Sequence, residues 1–361
     1  MTVHYGLIGC GMMGHEHIRN IALLEGAAVS VIYEPDAGMR DSAAQIAPEA
    51  VFTDNIETLL NHKPMDCLLI ASPNFCHVEQ LEQVAAKVSL PILVEKPLYS
   101  DPADLVRVEK FKKNYKAPVW VAMEYRYMPP MQEFLNQVDG FTGGVKMLTF
   151  VEHRFPFLEK VGNWNRFNHL TGGTLVEKCC HFFDLMRLIL KSDPVRVMAS
   201  AGQMENHLDE VYDDGTPDIW DSGYVIIDFI NGVRASLELS MFAEGSEYQG
   251  MIHAIGPKGK LEIKLPSPNR LGSGHDRIWP VPQLIQSPRS PCNPQVVECP
   301  IDETILNAGD HNGSTYHQHL KFLNVVRGNG QVEVSLDDGI WAVRMGMAAQ
   351  QSAISGQAVE F

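Results

Sequence analysis

The sequence predicts an α/β protein of two domains, a doubly wound parallel sheet at residues 1–128 and a largely antiparallel sheet at 129–361. A chain of 361 residues is too long for one ordinary core. Short apolar strands alternate with helical patterns in its first third, whereas strand candidates follow one another directly in the remainder. Two domains of this kind imply a cleft in which a ligand can bind.

The first domain alternates strands and helices along the chain. Strands are predicted at 4–9, 27–33, 51–53, 66–72, 91–96 and 118–124, and helices at 16–24, 78–87 and 102–113. This alternation implies a parallel sheet that helices cover on both faces. Ligands of such sheets bind beyond the carboxyl ends of the strands.

The second domain is predicted to be rich in strands, with few helices between them. Strand candidates lie at 145–155, 194–203, 223–230, 233–242 and 251–265. The proline-rich segment between Pro266 and Pro300 is incompatible with central strands, so we expect an irregular excursion that serves as a lid, an oligomer contact or a passive loop. A helix over 337–355 is expected to end at Gly356 and to pack back on the first domain.

Composition excludes several classes of partner. The net charge of −15 argues against nucleic acid and anionic membranes, and it favours a small neutral substrate. The seven cysteines form no CxxC pair, which is typical of reduced thiols in the cytosol. The sequence has no apolar run of membrane-spanning length and no signal region at its start. We therefore expect a cytoplasmic protein without a membrane partner.

A glycine fingerprint follows the first predicted strand. Gly9-Cys10-Gly11-Met12-Met13-Gly14 matches GxGxxG at the start of a helix, where backbone N–H groups and the helix dipole can bind a pyrophosphate. Glu34 ends the second strand, where an acid accepts hydrogen bonds from the adenosine ribose and repels a 2′-phosphate. These residues predict an NAD-binding Rossmann domain, and nearby Arg40 leaves NADP possible.

The fifth predicted strand ends in Val94-Glu95-Lys96-Pro97, at the edge where ligands bind. Lysine is usually a solvated surface residue, but this position makes Lys96 a candidate donor to a substrate oxygen.

Four motifs together resemble the Gfo/Idh/MocA family, the glucose-fructose oxidoreductase and inositol dehydrogenase group: GCGMMG, ASPNFCHVEQ, VEKPL and MEYRYMPP. The resemblance covers essentially the whole chain. It implies a Rossmann domain followed by an α/β domain with a large open sheet, which often forms homodimers or homotetramers. It also implies NAD(P)-dependent oxidation of a secondary alcohol of a sugar or cyclitol, or the reverse reduction.

The resemblance also assigns site residues. It implies that the cofactor contacts Ser72, Asn74 and His77, with Glu95, Lys96 and Arg126 close by and a Lys96–Pro97 bond that is often cis. His181 matches the family's catalytic base. Glu177 takes the position of its partner acid, which is usually aspartate in the family.

The segment TLVEKCCHFFDLMRLIL, residues 174–190, has three interpretations. On periodicity alone, this helix is amphipathic and the reading that leads is a solvated polar face, formed by Glu177, Lys178, His181, Asp184 and Arg187. Thr174 and Glu177 also match a capping box. The resemblance favours a third reading, in which Glu177 and His181 lie on one helix face as catalytic groups.

Further substrate contacts are predicted with structural alternatives of equal weight: Tyr125, Arg126, Trp164, Asn165, Arg166, Tyr316, His317 and His319. No metal site is expected, because the pairs His15/His17 and His317/His319 would point to different helix faces. Two functional alternatives stay open, a sugar-sensing regulator without catalysis and an NAD-dependent glycoside hydrolase that oxidises its substrate transiently.

Overall fold

The computed structural model describes residues 2–268 and 280–361, and its first part is a six-stranded parallel sheet in the order β3-β2-β1-β4-β5-β6. The strands are β1 Val3–Ile8, β2 Ala27–Tyr33, β3 Val51–Thr53, β4 Cys67–Ile70, β5 Ile92–Val94 and β6 Val119–Val121. The helices are α1 Met12–Ala22, α2 Ala37–Ile46, α3 Ile56–Asn61, α4 His77–Lys87 and α5 Leu105–Asn114. Strand order reverses between β1 and β4, and a doubly wound sheet binds its ligand at this point.

Among the described residues, the second sheet has nine strands, in the order β14-β13-β12-β11-β7-β10-β9-β8-β15. The strands are β7 Met147–His153, β8 Pro194–Gly202, β9 Ser222–Phe229, β10 Arg234–Ser240, β11 Gly250–Ile255, β12 Gly259–Leu265, β13 Gln283–Pro288, β14 Gln295–Glu298 and β15 Val359–Glu360. Neighbouring strands are antiparallel except β7 and β10, which are parallel. Both predicted sheet types are therefore confirmed.

Helices cover one face of the second sheet. They are α6 Pro129–Thr142 and α9 Cys180–Leu190, with the short helices α7 Asn168–Thr171 and α8 Thr174–Glu177 preceding α9 in the chain; α10 Glu303–Ala308 contacts α1 instead. Phe183 and Met186 of α9 are fully buried in the core against this sheet. Tyr224 and Ile226 lie on β9 in the alternate register and are 63% and 45% exposed, so the other sheet face is open.

The last two helices join the domains. Phe322 of α11, Ser314–Val326, belongs to the core of the first sheet. In α12, Leu336–Ser355, Ile340 packs in the first core, and Met345 packs in the second. The boundary predicted at 128/129 falls between the 3₁₀ helix Glu124–Tyr127 and α6, and it stays a prediction.

Two expectations about secondary structure are corrected, and several helices were not expected. The segment 266–300 is not wholly irregular, because β13 and β14 form a hairpin at the sheet edge; residues 269–279 of that segment lie outside the described residues. Its prolines are tolerated there because they lie at strand ends and in the connection, as in Pro288 and Pro291. The helix expected over 174–190 is interrupted at 178–179, between α8 and α9. The helices that were not predicted are α2, α3, α6, α7 and α10.

Candidate active site

The glycine turn between β1 and α1 has the shape that a dinucleotide requires. A Cβ at Gly9, whose φ is +87°, would lie 2.7 Å from the backbone of Ser72, and one at Gly14 would lie 2.7 Å from Gly9 O. Gly11 has no atom within 4 Å of such a Cβ, so its surface is open to a ligand. The tight glycines fix the strand-to-helix turn, and the open glycine admits a phosphate to the helix N-terminus.

A cavity of about 800 Å³ begins at this turn and crosses the carboxyl edge of the sheet. The predicted cofactor residues that line it are Gly9, Gly11, Met12, Met13, Glu34, Ser72, Asn74, Glu95 and Lys96. The Glu34 carboxylate accepts hydrogen bonds from Cys10 N at 2.8 Å and Asp36 N at 3.0 Å, which holds it at the cavity wall. The residues present fit a bound NAD.

His77 supports this cavity from behind. Its side chain is fully buried, with Nδ1 2.8 Å from Pro97 O and Nε2 3.0 Å from Ser72 O. It thereby ties the loop after β4 to the loop after β5. The structure places His77 beneath the predicted cofactor loop, so its contacts are with the protein.

Lys96 lies where this cavity meets a second one. The Lys96–Pro97 bond is cis, and Lys96 Nζ donates a hydrogen bond to Glu177 O at 3.0 Å. Burial opposes the charge on Lys96, but the Glu177 carboxylate, 3.7 Å from Nζ, outweighs it and raises the pKa of the lysine. Lys96 is therefore a protonated donor at neutral pH.

A buried chain of polar groups holds the backbone beside Lys96. Glu95 accepts a hydrogen bond from Lys96 N at 3.1 Å and lies 2.9 Å from His17 Nε2. His17 Nδ1 lies 2.8 Å from His319 Nε2. His319 was predicted to be either a substrate contact or a structural residue. Its ring is fully buried behind the site, which favours the structural role.

Glu177 is held by cations and an amide. Asn74 Nδ2 donates a hydrogen bond to Oε2, and Lys96 and Lys160 lie 3.7 and 3.8 Å from Oε1. Burial opposes the charge of Glu177, but Lys96, Lys160 and the Asn74 amide outweigh it and lower the pKa. The carboxylate is thus ionised and aimed at Lys96.

His181 lies in the second cavity, flat against Tyr125. The ring centroids are 4.1 Å apart, and His181 Nδ1 is buried without a hydrogen-bond partner in the described residues. Burial, Lys96 and Lys178 lower the pKa of His181 well below its usual value. The imidazole is therefore neutral near pH 7 and can accept a proton.

These positions decide among the three readings of residues 174–190. The wet helix face is wrong, because Glu177, His181 and Asp184 are all buried. The capping box is also wrong, because Gly173 is the N-cap and the Thr174 hydroxyl donates to Trp220 O. The third reading keeps both groups in one cavity, but Glu177 contacts Lys96 instead of His181.

Several predicted site residues lie elsewhere. Arg126, predicted to contact the cofactor, makes two hydrogen bonds to Asp184 and one to Glu333 O at 2.8 Å, and it lines neither cavity. Arg166 pairs with Glu210 at 2.9 Å, and Tyr316 packs against the core of the first sheet. Trp164 lines the cofactor cavity, whereas Tyr125 and Asn165 line the second one.

The structure adds charged residues that sequence reasoning missed. Lys178 pairs with Glu152 at 3.1 Å and donates to the Tyr125 hydroxyl; burial and Arg154 lower its pKa to about 8. Arg154 and Gln249 line the same cavity. The signal available in the sequence was the two-residue period of β7, which puts Glu152 on the same face as the apolar Leu148 and Phe150. Nothing in the sequence placed Glu152 opposite Lys178.

A further cluster consists of Glu16, Glu124 and His311, whose ligand atoms lie within 4.8 Å of one another. It is the one group of three such side chains among the described residues. His311 Nδ1 lies 2.8 Å from Glu16 and Nε2 3.6 Å from Glu124. Burial opposes protonation of His311, but Glu124 and Glu16 raise its pKa to about 9, so the histidine itself supplies the positive charge of the cluster.

The fold and cavity define a class before any comparison. A doubly wound sheet with a dinucleotide cavity, opening at a lysine onto a second polar cavity, is the arrangement of a nicotinamide-dependent oxidoreductase. No helix of the described residues is long and apolar enough to cross a membrane.

The chain belongs to the GFO_IDH_MocA oxidoreductase family. Residues 3–123 match its NAD-binding Rossmann fold, and residues 138–361 match its C-terminal α/β domain. The predicted family, NAD cofactor and enzyme class are thereby confirmed.

Relatives and solved structures agree with this assignment. Inositol 2-dehydrogenase of Corynebacterium glutamicum (strain R) is 29% identical over 273 residues, 74% of this chain and 75% of that one. The structure of myo-inositol 2-dehydrogenase from Lactobacillus plantarum has a TM-score of 0.77 at 20% identity and 100% coverage of both chains. That of GenD2 from gentamicin A biosynthesis in complex with NAD has a TM-score of 0.79 at 20% identity, with 100% and 96% coverage.

Proposed function

We propose that this protein oxidises a secondary alcohol of a sugar or cyclitol with NAD, or runs the reverse reduction. One observation carries the proposal. Lys96 and Glu177 line both the dinucleotide cavity and the second cavity, and His181 lines the second cavity beside them. In the proposal, the hydrogen-bond donor to the reacting oxygen, Lys96, and the proton acceptor, His181, therefore lie at the junction between cofactor and substrate. The relatives named inositol 2-dehydrogenase support the substrate class.

Each residue has a definite part in the proposed reaction. Bound NAD would supply the hydride acceptor. Protonated Lys96 donates a hydrogen bond to the reacting hydroxyl oxygen, and neutral His181 takes the hydroxyl proton as the carbon gives up its hydride and the C=O bond forms. Glu177 keeps Lys96 protonated and holds its position. Tyr125 fixes the plane of the His181 ring.

NAD is the proposed cofactor in preference to NADP. Glu34 places a carboxylate at the ribose end of the cavity, where a 2′-phosphate would be repelled. Arg40 Nη1 donates to Glu34 O at 2.7 Å and Pro35 O at 2.9 Å, so the backbone engages this nitrogen and leaves it no hydrogen for a 2′-phosphate.

The proposed function is tested by a panel of cyclitols, free sugars and glycosides with NAD and NADP, followed by the absorbance of the reduced nicotinamide. Free NADH formation from a polyol supports the proposal. Glycoside cleavage without net NADH would indicate the glycoside hydrolase, and ligand binding without either reaction would indicate the regulator. Lys96→Ala should abolish turnover while NAD affinity changes no more than a few-fold.

The predicted homodimer or homotetramer is retained as part of this proposal. The open face of the second sheet carries Tyr224, Ile226 and Met198, all more than a third exposed, and apolar surface of this kind supports self-association. Light scattering on the purified protein measures the state directly. The predicted cytoplasmic location stays a prediction.

A further inference from the structure

Almost every charge lining the second cavity is matched by a neighbour from the protein. Glu177 lies between Lys96 and Lys160, and Glu152 lies 3.1 Å from Lys178. His311 lies between Glu16 and Glu124. In each of these groups, carboxylates of the protein neutralise cations of the protein, as buried ions require.

Arg154 is the cation without such a match. Its side chain lines the cavity, makes no ion pair within residues 2–268 and 280–361, and has a buried Nε without a hydrogen-bond partner. The guanidinium carbon lies 4.3 Å from the centroid of the Phe155 ring, a cation–π contact that supplies no hydrogen-bond acceptor. The backbone is anchored on both sides, with Arg154 N donating to Ser240 O at 2.8 Å and Arg154 O accepting from Ala243 N at 3.0 Å.

A buried guanidinium nitrogen without an acceptor is costly, so a ligand that supplies the acceptor binds favourably. Planar carboxylates match the guanidinium fork with two parallel hydrogen bonds. Among the described residues of the cavity, three more buried polar atoms lack a hydrogen-bond partner from the protein: Gln249 Oε1, His181 Nδ1 and Glu124 Oε1. These suit hydroxyl groups of the same molecule.

We propose that the substrate is a sugar acid, whose carboxylate is bound by Arg154 while its reacting hydroxyl lies between Lys96 and His181. The inference rests on the proposed function and narrows its substrate class. The carboxylate is unchanged in the reaction, because the hydride and the proton leave from another carbon and its hydroxyl. The overall charge of the chain favoured a neutral substrate, but the local charge in the cavity decides what binds there.

A carboxylate fits this cavity better than a phosphate ester. Arg154 contributes one unmatched positive charge, and a carboxylate contributes one negative charge. A phosphate ester carries about −1.5 to −2 at pH 7 and would meet Glu152 and Glu124 in the same cavity.

The charge of Arg154 also acts on the reactive groups. Burial, Lys96, Lys178 and His311 lower the pKa of His181 most, and Arg154 lowers it further. For Lys178, Arg154 is the largest cause of the lowered pKa after burial. A bound carboxylate would offset this charge. Binding should therefore raise the proton affinity of His181 and make it a stronger base.

The test compares matched acid and neutral polyols with the full-length protein. The pairs are D-glucuronate and D-glucose, D-galacturonate and D-galactose, and D-gluconate and D-glucitol. Turnover is followed by NAD reduction, and binding is measured by calorimetry with NADH present. We expect at least one acid to exceed its neutral partner by tenfold or more in kcat/KM or affinity, since a site that pairs a charge rejects an analogue without it.

Variants identify the group responsible. Arg154→Gln should reduce the acid-to-neutral ratio at least tenfold, and Arg154→Lys should recover part of it. Arg234→Gln removes one positive charge from a side chain that is 74% exposed on β10 and should leave the ratio unchanged. Melting temperatures of all variants check that each is folded, and Arg154→Lys carries the test if Arg154→Gln does not fold.

The outcomes separate this inference from the proposed function. If neutral polyols are oxidised and no acid is preferred, or Arg154→Gln keeps the preference, the sugar-acid inference is wrong and the proposed function stands. If acids bind through Arg154 without NAD reduction, the carboxylate site stands and the proposed function is wrong. If no member of the panel binds or reacts, both are overturned.

Discussion

The imidazole of His181 lies parallel to the phenol ring of Tyr125, with 4.1 Å between the ring centroids and 7° between the planes. The Tyr125 hydroxyl accepts a hydrogen bond from Lys178 Nζ, which fixes the phenol in turn. The base of the proposed reaction is thus oriented by stacking on an aromatic ring, whereas the resemblance had implied orientation by the acid four residues earlier.

His181→Phe should lower turnover roughly 10²- to 10⁴-fold, the range for a positioned acid/base group. Phenylalanine keeps a ring against Tyr125 and removes both nitrogens, so the melting temperature should change little. Steady-state kinetics and thermal unfolding measure the two effects. A His181→Phe enzyme that turns over like the wild type would show that the base is another group.

Cofactor preference depends on Glu34. We expect NAD to bind at least tenfold more tightly than NADP, because the 2′-phosphate would meet this carboxylate. Glu34→Gln keeps one acceptor for the Cys10 N–H while removing the charge, so it should narrow the preference. Fluorescence titration of both cofactors provides the measurement, with the exposed Glu25→Gln as control. Equal affinities in the wild type would contradict the argument.

The sequence predicted the parallel sheet because each strand of the first domain is a short apolar run between glycine or polar breaks. The glycine fingerprint and Lys96 could be assigned to the ligand-binding edge because each directly follows one of these strands. Helix α2 escaped detection because Ala43 is its one buried residue, so it has no apolar stripe. Helix α3 has only 6 residues, too few to show a helical period.

The second cavity could not be predicted in the same way. Glu152 of β7 pairs with Lys178 between α8 and α9, and His311 before α11 pairs with Glu16 of α1. Each pairing arises only when elements far apart in the chain meet. Periodicity assigned Glu177 and His181 to a wet face because it records spacing along one helix. It contains no information on what packs against that helix.

Arg126 tests the difference between a cofactor contact and a structural pair. It is paired with Asp184, and both side chains are almost fully buried. Arg126→Ala should destabilise the protein by about 3 to 5 kcal/mol, because Asp184 would keep a buried charge without its partner. Arg196→Ala, which breaks an exposed pair with Asp228, should cost about 1 kcal/mol or less. Denaturant unfolding measures both. A loss of NAD affinity without loss of stability in Arg126→Ala would restore the cofactor assignment.

Glu177→Gln should show whether the Glu177 carboxylate stabilises the protonated form of Lys96 or that of His181. The carboxylate is the leading charge that raises the pKa of Lys96, against the opposing effect of burial. The amide removes that charge, so the pKa of Lys96 should fall. Lys96 must be protonated to bind the reacting oxygen, and a lower pKa means that the proton is lost at lower pH. The alkaline limb of the pH–rate profile for kcat should therefore move down in pH.

The acidic limb distinguishes the two assignments. It reports protonation of His181, whose pKa is already held well below its usual value by burial, Lys96 and Lys178. If Glu177 acted by stabilising protonated His181, Glu177→Gln would move this limb downward. Because Glu177 contacts Lys96 and not His181, the alkaline limb should show the larger movement. Glu109→Gln changes the same charge on the exposed face of α5 and should leave both limbs in place. A shift confined to the acidic limb would overturn the pairing of Glu177 with Lys96 and return Glu177 to His181.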